Sequence, residues 1–150
     1  MVKYPVLDLV PHGSSVVALD TIESYSDHTM VASLTINKKS FLYEEFGVPT
    51  WVGVEYMGQT IAAYAGAKAR TENKPVKIGF LVGTRRFESP VSHFELGSKL
   101  LISVEEIINN AQGLHVFSCK IEWKDFFIQS NLNVYMPENI EEFLERALNE

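Results

Sequence analysis

The stretch WVGVEYMGQTIAAYAGAKAR, Trp51 to Arg70, limits the fold more than any other part of the chain. It reads as one long helix, and its only charge before Lys68 is Glu55. A helix that is apolar or small on nearly all sides has to be enclosed by other elements. The elements available to enclose it read as strands. SSVVALDTIESY and TMVASLTIN are β-branched and roughly alternating, with SDH between them, and predict a hairpin. KKSFLYEEFGVP predicts an irregular loop ending at Pro49, just ahead of the helix. TENKP closes the helix, and VKIGFLVGTRRFES then predicts one strand, or two broken at Gly83. KLLISVEEIIN and GLHVFSCKIEW flank the turn NAQG, and FFIQSNLNVYM follows KD as a further strand. One apolar helix among antiparallel strands predicts an α+β fold, with a sheet curled around a long central helix.

At 150 residues the chain has the length of one domain, with a core over about 9–137. The tail PENIEEFLERALNE spaces Ile140, Phe143, Leu144, Ala147 and Leu148 as a short amphipathic C-terminal helix, about 138–149. Its acidic run, Glu138, Glu141, Glu142 and Glu145, reads as a solvated face. A net charge of −6 argues against non-specific nucleic-acid binding, which needs a basic face. MVKYPVLDLV lacks the apolar core and cleavage site of a signal peptide, and no charge-free apolar run is long enough to span a bilayer. The expectation is a soluble, cytoplasmic protein. The single cysteine, Cys119, excludes an internal disulfide and alternates with Phe117, Ile121 and Trp123 as a small core residue.

Glu55 lies about one turn into the helix, with Gln59 one turn further on the same face, and Ala62, Ala63 and Gly66 continue near that stripe. The ordinary reading is a solvated Glu favoured by the positive end of the helix dipole. A solvent face on so long a helix would carry more charge, so the sharper reading places Glu55 in a cleft, for chemistry or for a specific hydrogen bond. Thr50 is positioned to cap the helix, and Lys68 and Arg70 suit the dipole at its end. The amides of Thr50, Trp51 and Val52 have no partners inside the helix. They can stabilise charge developing on a thioester carbonyl while a carboxylate one turn away moves a proton.

Among the histidines, His12 in the loop PHGSS is the best site candidate, because it stands outside a regular element. His28 reads as a surface turn residue, His93 as the start of a strand, and His115 as sharing a strand face with Cys119. Arg85 and Arg86 are neighbours on a strand, so only one of them lines a given surface. One is then a solvated or ion-paired arginine, or the cation that meets a phosphate or an acidic partner. No zinc pattern, Walker motif or serine-hydrolase elbow is present.

LVPHGSSVVALD, VPTWVGVEYMGQTIAAYAG and GFLVGTRRFE, in that order, resemble the 3-hydroxyacyl-acyl carrier protein dehydratases of the hotdog superfamily. The nearest likeness is to the divergent branch found with aryl-polyene-type polyketide clusters, and it spans Leu9 to Pro137. The resemblance implies the hotdog fold and the removal of water from a 3-hydroxyacyl thioester, in fatty-acid or polyene-type polyketide synthesis. The acyl group would arrive on the phosphopantetheine arm of an acyl carrier protein, with no metal or redox cofactor. The family's Glu-x-Met-x-Gln matches Glu55, Met57 and Gln59, which makes Glu55 the catalytic acid or base. The family's Pro-Gly before the helix becomes Pro49-Thr50, so Thr50 and Trp51 are the expected carbonyl-binding residues. Gln59, Gly83 and Arg85 are the further substrate-binding candidates. The family's loop histidine is replaced by Phe41, which leaves His12 as the partner implied for Glu55. Two other readings use the same residues: a hotdog thioesterase in which Glu55 activates water, and an inactive subunit that supports an active dehydratase. Fold analogy implies at least a dimer, with itself or with another hotdog subunit.

Overall fold

The apolar run folds as a 3₁₀ turn, Thr50–Val52, leading into the α-helix α1, Gly53–Thr71. The computed structural model describes residues 17–75, 79–110, 112–137, 145–146 and 148–149. Among the described residues, eight strands accompany the helix: β1 (Thr21–Tyr25), β2 (Thr29–Thr35), β3 (Val48–Pro49), β4 (Phe80–Arg85), β5 (His93–Phe94), β6 (Lys99–Asn109), β7 (Leu114–Trp123) and β8 (Phe126–Tyr135). Six of them form one antiparallel sheet in the order β1-β2-β6-β7-β8-β4, and β3 pairs with β5 in a separate two-stranded ribbon.

The strand alternation seen in the sequence sets the core. On β6 the inward residues are Leu100, Ile102 and Val104, and on β7 they are Phe117, Cys119, Ile121 and Trp123; all are buried. Register places Val104 opposite Cys119 and Ile102 opposite Ile121. The helix packs across β2, β6 and β7. Its Tyr56, Met57, Ile61, Ala63, Tyr64 and Ala67 are buried against that face. At the end of α1, Asn73 takes a left-handed backbone (φ 56°), which asparagine adopts more readily than most residues, and the amide of Lys74 reaches back to the Ala69 carbonyl. Aromatic rings tie the helix start to the sheet: Phe94 lies 6.0 Å from Tyr56 and edge-on to Trp123 at 4.8 Å. No helix among the described residues is long and apolar enough to cross a membrane.

Several local expectations are corrected. The first strand among the described residues begins at Thr21; residues 17–20 are not strand, and Ser14 lies outside the described residues. Thr50 is not a side-chain cap, because Pro49 occupies the cap position and the Thr50 hydroxyl donates elsewhere. Of the two readings of VKIGFLVGTRRFES the single strand holds: β4 runs on through a register shift between Leu81 and Gly83. The C-terminal helix is seen at 145–146 and 148–149, where Leu148 is exposed; the rest of 138–149 lies outside the described residues.

Gly47 makes the turn that delivers the chain into β3 and the helix. Its φ of 115° is a conformation that only glycine adopts without strain, and a methyl group built there would overlap the Phe94 carbonyl oxygen. Gly47→Ala is therefore expected to destabilise the protein by about 2–3 kcal/mol. The midpoint of chemical denaturation measures this, and an unchanged midpoint would refute it.

Candidate active site

The start of the helix is held by the β3–β5 ribbon. Val48 pairs with Phe94 and Pro49 with His93, and the chain continues that pairing by one residue. The Thr50 amide donates to the Ser92 carbonyl at 3.0 Å, and its hydroxyl donates to the carbonyls of Val91 at 3.1 Å and Ser92 at 3.3 Å. The expectation that Thr50 offers its amide to a thioester is thus corrected: ribbon pairing consumes that amide and makes Thr50 an anchor. Trp51 and Val52 follow it in the 3₁₀ turn Thr50–Val52, so the Val52 amide falls within that turn's i→i+3 bonding. Val52 is buried, and the Trp51 side chain stands 63% exposed beside the helix entry.

The ribbon carries its own polar chain. His93 Nε2 lies 2.6 Å from Glu44 Oε1, and its Nδ1 lies 2.8 Å from Ser92 Oγ. His93 does start a strand, as its sequence implied, and through Glu44 it ties the loop after β2 to the strand that positions Thr50.

Glu55 stands on the first turn of α1 and is exposed within this chain, rather than enclosed in a cleft. The reason is the path of the sheet: the stripe through Glu55, Gly58, Ala62 and Ala65 is the side of the helix that stays partly open. A side-chain carbon added at Gly58 would meet nothing within 4 Å. Gln59, one turn beyond Glu55, is buried together with Ala63 and Gly66. Its Nε2 donates to Glu55 Oε1 at 3.1 Å, and its Oε1 accepts the Ala18 amide at 2.8 Å. Gln59 therefore links the segment ahead of β1 to the helix and orients the Glu55 carboxylate. A buried amide that bridges a backbone N–H and a carboxylate is fully engaged, so the structure gives Gln59 a positioning place beside Glu55.

Thr50, Trp51, Glu55 and Gln59 thus share the first turns of the helix. Gly83 and Arg85 stand apart on β4, the edge strand, where Arg85 is exposed. The chain beyond them returns to the helix: a carbon added at Gly53 would lie 3.1 Å from the Phe87 ring and 2.8 Å from Ile121. Arg86 has a left-handed backbone (φ 48°) and lies beyond β4, so strand alternation does not apply to it. His12 lies outside the described residues. His28 is exposed in the β1–β2 turn, as its sequence position implied.

Cys119 is core and not nucleophile. Burial pushes its thiol up to about 12, so it stays protonated at neutral pH. The native protein is expected to leave a thiol reagent such as DTNB unreacted until denaturant is added. Stoichiometric reaction in the folded state would contradict the assignment.

Sequence reading did not find the Ser92 carbonyl that takes the Thr50 amide, because a two-residue ribbon has no period to detect. It also missed a pair at the far end of the helix, Glu106 with His115. The signal for that pair was available: both residues have inward parity on their strands.

A model of the ApeP-like family, described as ApeP dehydratase, matches residues 4–145. A comparison with curated proteins returns no match. Among solved structures, the dehydratase heterocomplex ApeI:P from Xenorhabdus doucetiae aligns over 99% of both chains, with TM-score 0.88 and 24% identity. A hypothetical thioesterase with coenzyme A from Streptococcus pneumoniae TIGR4 aligns over 77% of this chain and 84% of its own, with TM-score 0.61 and 12% identity. A Streptococcus mutans UA159 protein bound to acetyl CoA aligns over 83% and 95%, with TM-score 0.60 and 12% identity. These likenesses and the long helix on an antiparallel sheet establish the hotdog fold.

Proposed function

The chain belongs to the ApeP-like dehydratase family, and from that premise we propose that it removes water from a 3-hydroxyacyl thioester carried on an acyl carrier protein. The observation that carries this reading is a carboxylate on the first turn of α1, fixed by Gln59 beside the start of the helix. Dehydration needs a base for the α-proton and an acid for the departing β-hydroxyl. Glu55 is the group for one of these transfers and His12 the proposed group for the other. The Trp51 amide would polarise the thioester carbonyl, which acidifies the α-carbon. Arg85 and Gly83 on the edge strand would meet the pantetheine arm or the carrier protein. No protein metal enters these steps. The pathway would be fatty-acid or polyene-type polyketide synthesis.

The working unit is proposed to contain a second hotdog subunit. Three observations support this. Glu55 and Trp51 are exposed in the single chain, although dehydration chemistry profits from a dry site. β4 is an edge strand that exposes Leu81 at 51% and Val82 at 60%, and such edges invite pairing with another chain. The structurally similar Xenorhabdus doucetiae protein is a member of a dehydratase heterocomplex.

Mass spectrometry of a 3-hydroxyacyl carrier protein tests the reading. The substrate is incubated with the chain alone, and with the hotdog subunit that co-purifies with the tagged chain. Loss of one water in either mixture, dependent on this chain, supports the proposal. Release of free thiol without an unsaturated acyl product would assign a thioesterase instead, and no turnover in both mixtures would overturn the enzyme reading.

A further inference from the structure

A second polar group stands at the opposite end of α1. Lys68 is on its last turn, more than three turns beyond Glu55 and ~20 Å along the axis. It faces the rim where β6 and β7 meet. A register shift between Glu106 and Ile108 ends the inward alternation of β6, which leaves Glu106 as its last inward residue and His115 as the first of β7. Both side chains are almost wholly buried, at 7% and 9% exposure. His115 Nδ1 lies 2.8 Å from Glu106 Oε2, and Lys68 Nζ lies 3.7 Å from Glu106 Oε1 and 5.8 Å above the Tyr64 ring. Burial by itself would raise the Glu106 carboxyl. The hydrogen bond from His115, the charge of Lys68 and a hydrogen bond from Asn109 outweigh it and hold Glu106 below the usual carboxylate range. A carboxylate this deep, with an imidazole held on it, is a site in its own right and takes no part in the chemistry at Glu55.

These residues border a cavity of about 500 Å³, within the size range of small-molecule sites. Its lining mixes apolar Ala65, Ala69 and Met136 with polar Lys68, His115 and Asn110 and the carboxylates of Glu72 and Glu106. Hydrogen-bonding capacity selects the ligand. Glu106 spends its oxygens on His115 and Lys68. Asn110 Oδ1 accepts the amides of Gln112 and Leu114, so what Asn110 has left is its Nδ2 donor. Lys68 has three protons and one long ion pair. His115, with Nδ1 on Glu106, has Nε2 left to meet a ligand. Lys68 and Asn110 therefore offer donors and call for an acceptor. Lys68 and Lys74 balance Glu72 and Glu106, so the lining carries no net negative charge that would repel an acid.

We infer that this cavity binds a small carboxylic acid with an apolar body, its carboxyl group held by Lys68 Nζ, His115 Nε2 and Asn110 Nδ2, its hydrocarbon against Ala65, Ala69 and Met136. Glu106 is a positioning residue that fixes the imidazole. The site is independent of the dehydratase reading, and its test does not use turnover.

The test is NMR of the full chain with ¹³C-methyl methionine, titrated with 3-phenylpropionate. The Met136 methyl, assigned through Met136→Leu, is expected to shift saturably, while Met30 and Met57, fully buried in the core, stay still. The uncharged 3-phenylpropionamide is expected to bind roughly tenfold more weakly or worse, and Lys68→Met and His115→Gln to weaken the acid by a similar factor. Lys68→Gln replaces Lys68→Met if the latter does not fold. An unmoved Met136 signal, equal affinity for acid and amide, equal affinity in wild type and the Lys68 variant, or a joint shift of all the core methionines would each overturn the proposal.

Discussion

Glu55→Gln lowers the rate of water loss from a 3-hydroxyacyl carrier protein by about 100-fold or more, the usual contribution of a positioned acid or base. The substitution is nearly isosteric. Gln59 donates to Glu55 Oε1, and the amide oxygen of a glutamine can accept the same bond, so the Ala18–Gln59–residue 55 connection survives. Stability falls by less than about 1 kcal/mol, the value of one favourable charge at a helix N-terminus. Activity and stability therefore separate in this variant. The check is mass-spectrometric turnover with the assembled complex, beside the thermal midpoint of the same preparation. A variant that keeps full turnover would remove Glu55 from the chemistry and leave this chain as a supporting subunit. His12→Ala in the same assay tests the second proton-transfer group by the same logic.

Phe94→Ala costs about 3–5 kcal/mol of folding stability, the range for removing a large buried aromatic ring. Phe94 is fully buried, stands edge-on to Trp123 at 4.8 Å and touches Tyr56 on the first turns of α1. Its backbone pairs with Val48, and the carbon that a larger residue at Gly53 would carry lies 3.4 Å from its ring. The ring is thus the common packing surface for the ribbon, the helix start and β7. For a chain of 150 residues the loss lowers the melting temperature by roughly 10 °C. Calorimetry or circular dichroism reads it directly, and a loss below about 1 kcal/mol would show that the helix start does not depend on this contact. Because the same ring sets the helix entry, residual activity per folded molecule falls as well, in contrast to a core change far from the ribbon.

The regular elements were legible because each announces itself locally. The period of WVGVEYMGQTIAAYAGAKAR gives α1 to within about two residues at either end, and alternation with NAQG between gives the β6–β7 hairpin with its inward residues Phe117, Cys119, Ile121 and Trp123. Glu55 and Gln59 were legible as a pair from their spacing of one helical turn. Side-chain partners over long separations were not. Thr50 looked like a helix cap, and only the pairing of β3 with β5, more than forty residues on, turned its amide and hydroxyl toward Val91 and Ser92. Glu55 looked enclosed by composition, and only the path of the sheet left its side of the helix open. Glu106 and His115 each carried inward parity, but their 2.8 Å contact needs the hairpin register, the bulge at its end and the last turn of α1 to coincide. Sequence by itself determined which faces are apolar, since that is a property of neighbours along one chain. Tertiary structure decided which polar groups meet, because a hydrogen bond a few ångströms long depends on segments whose relative placement no local pattern contains.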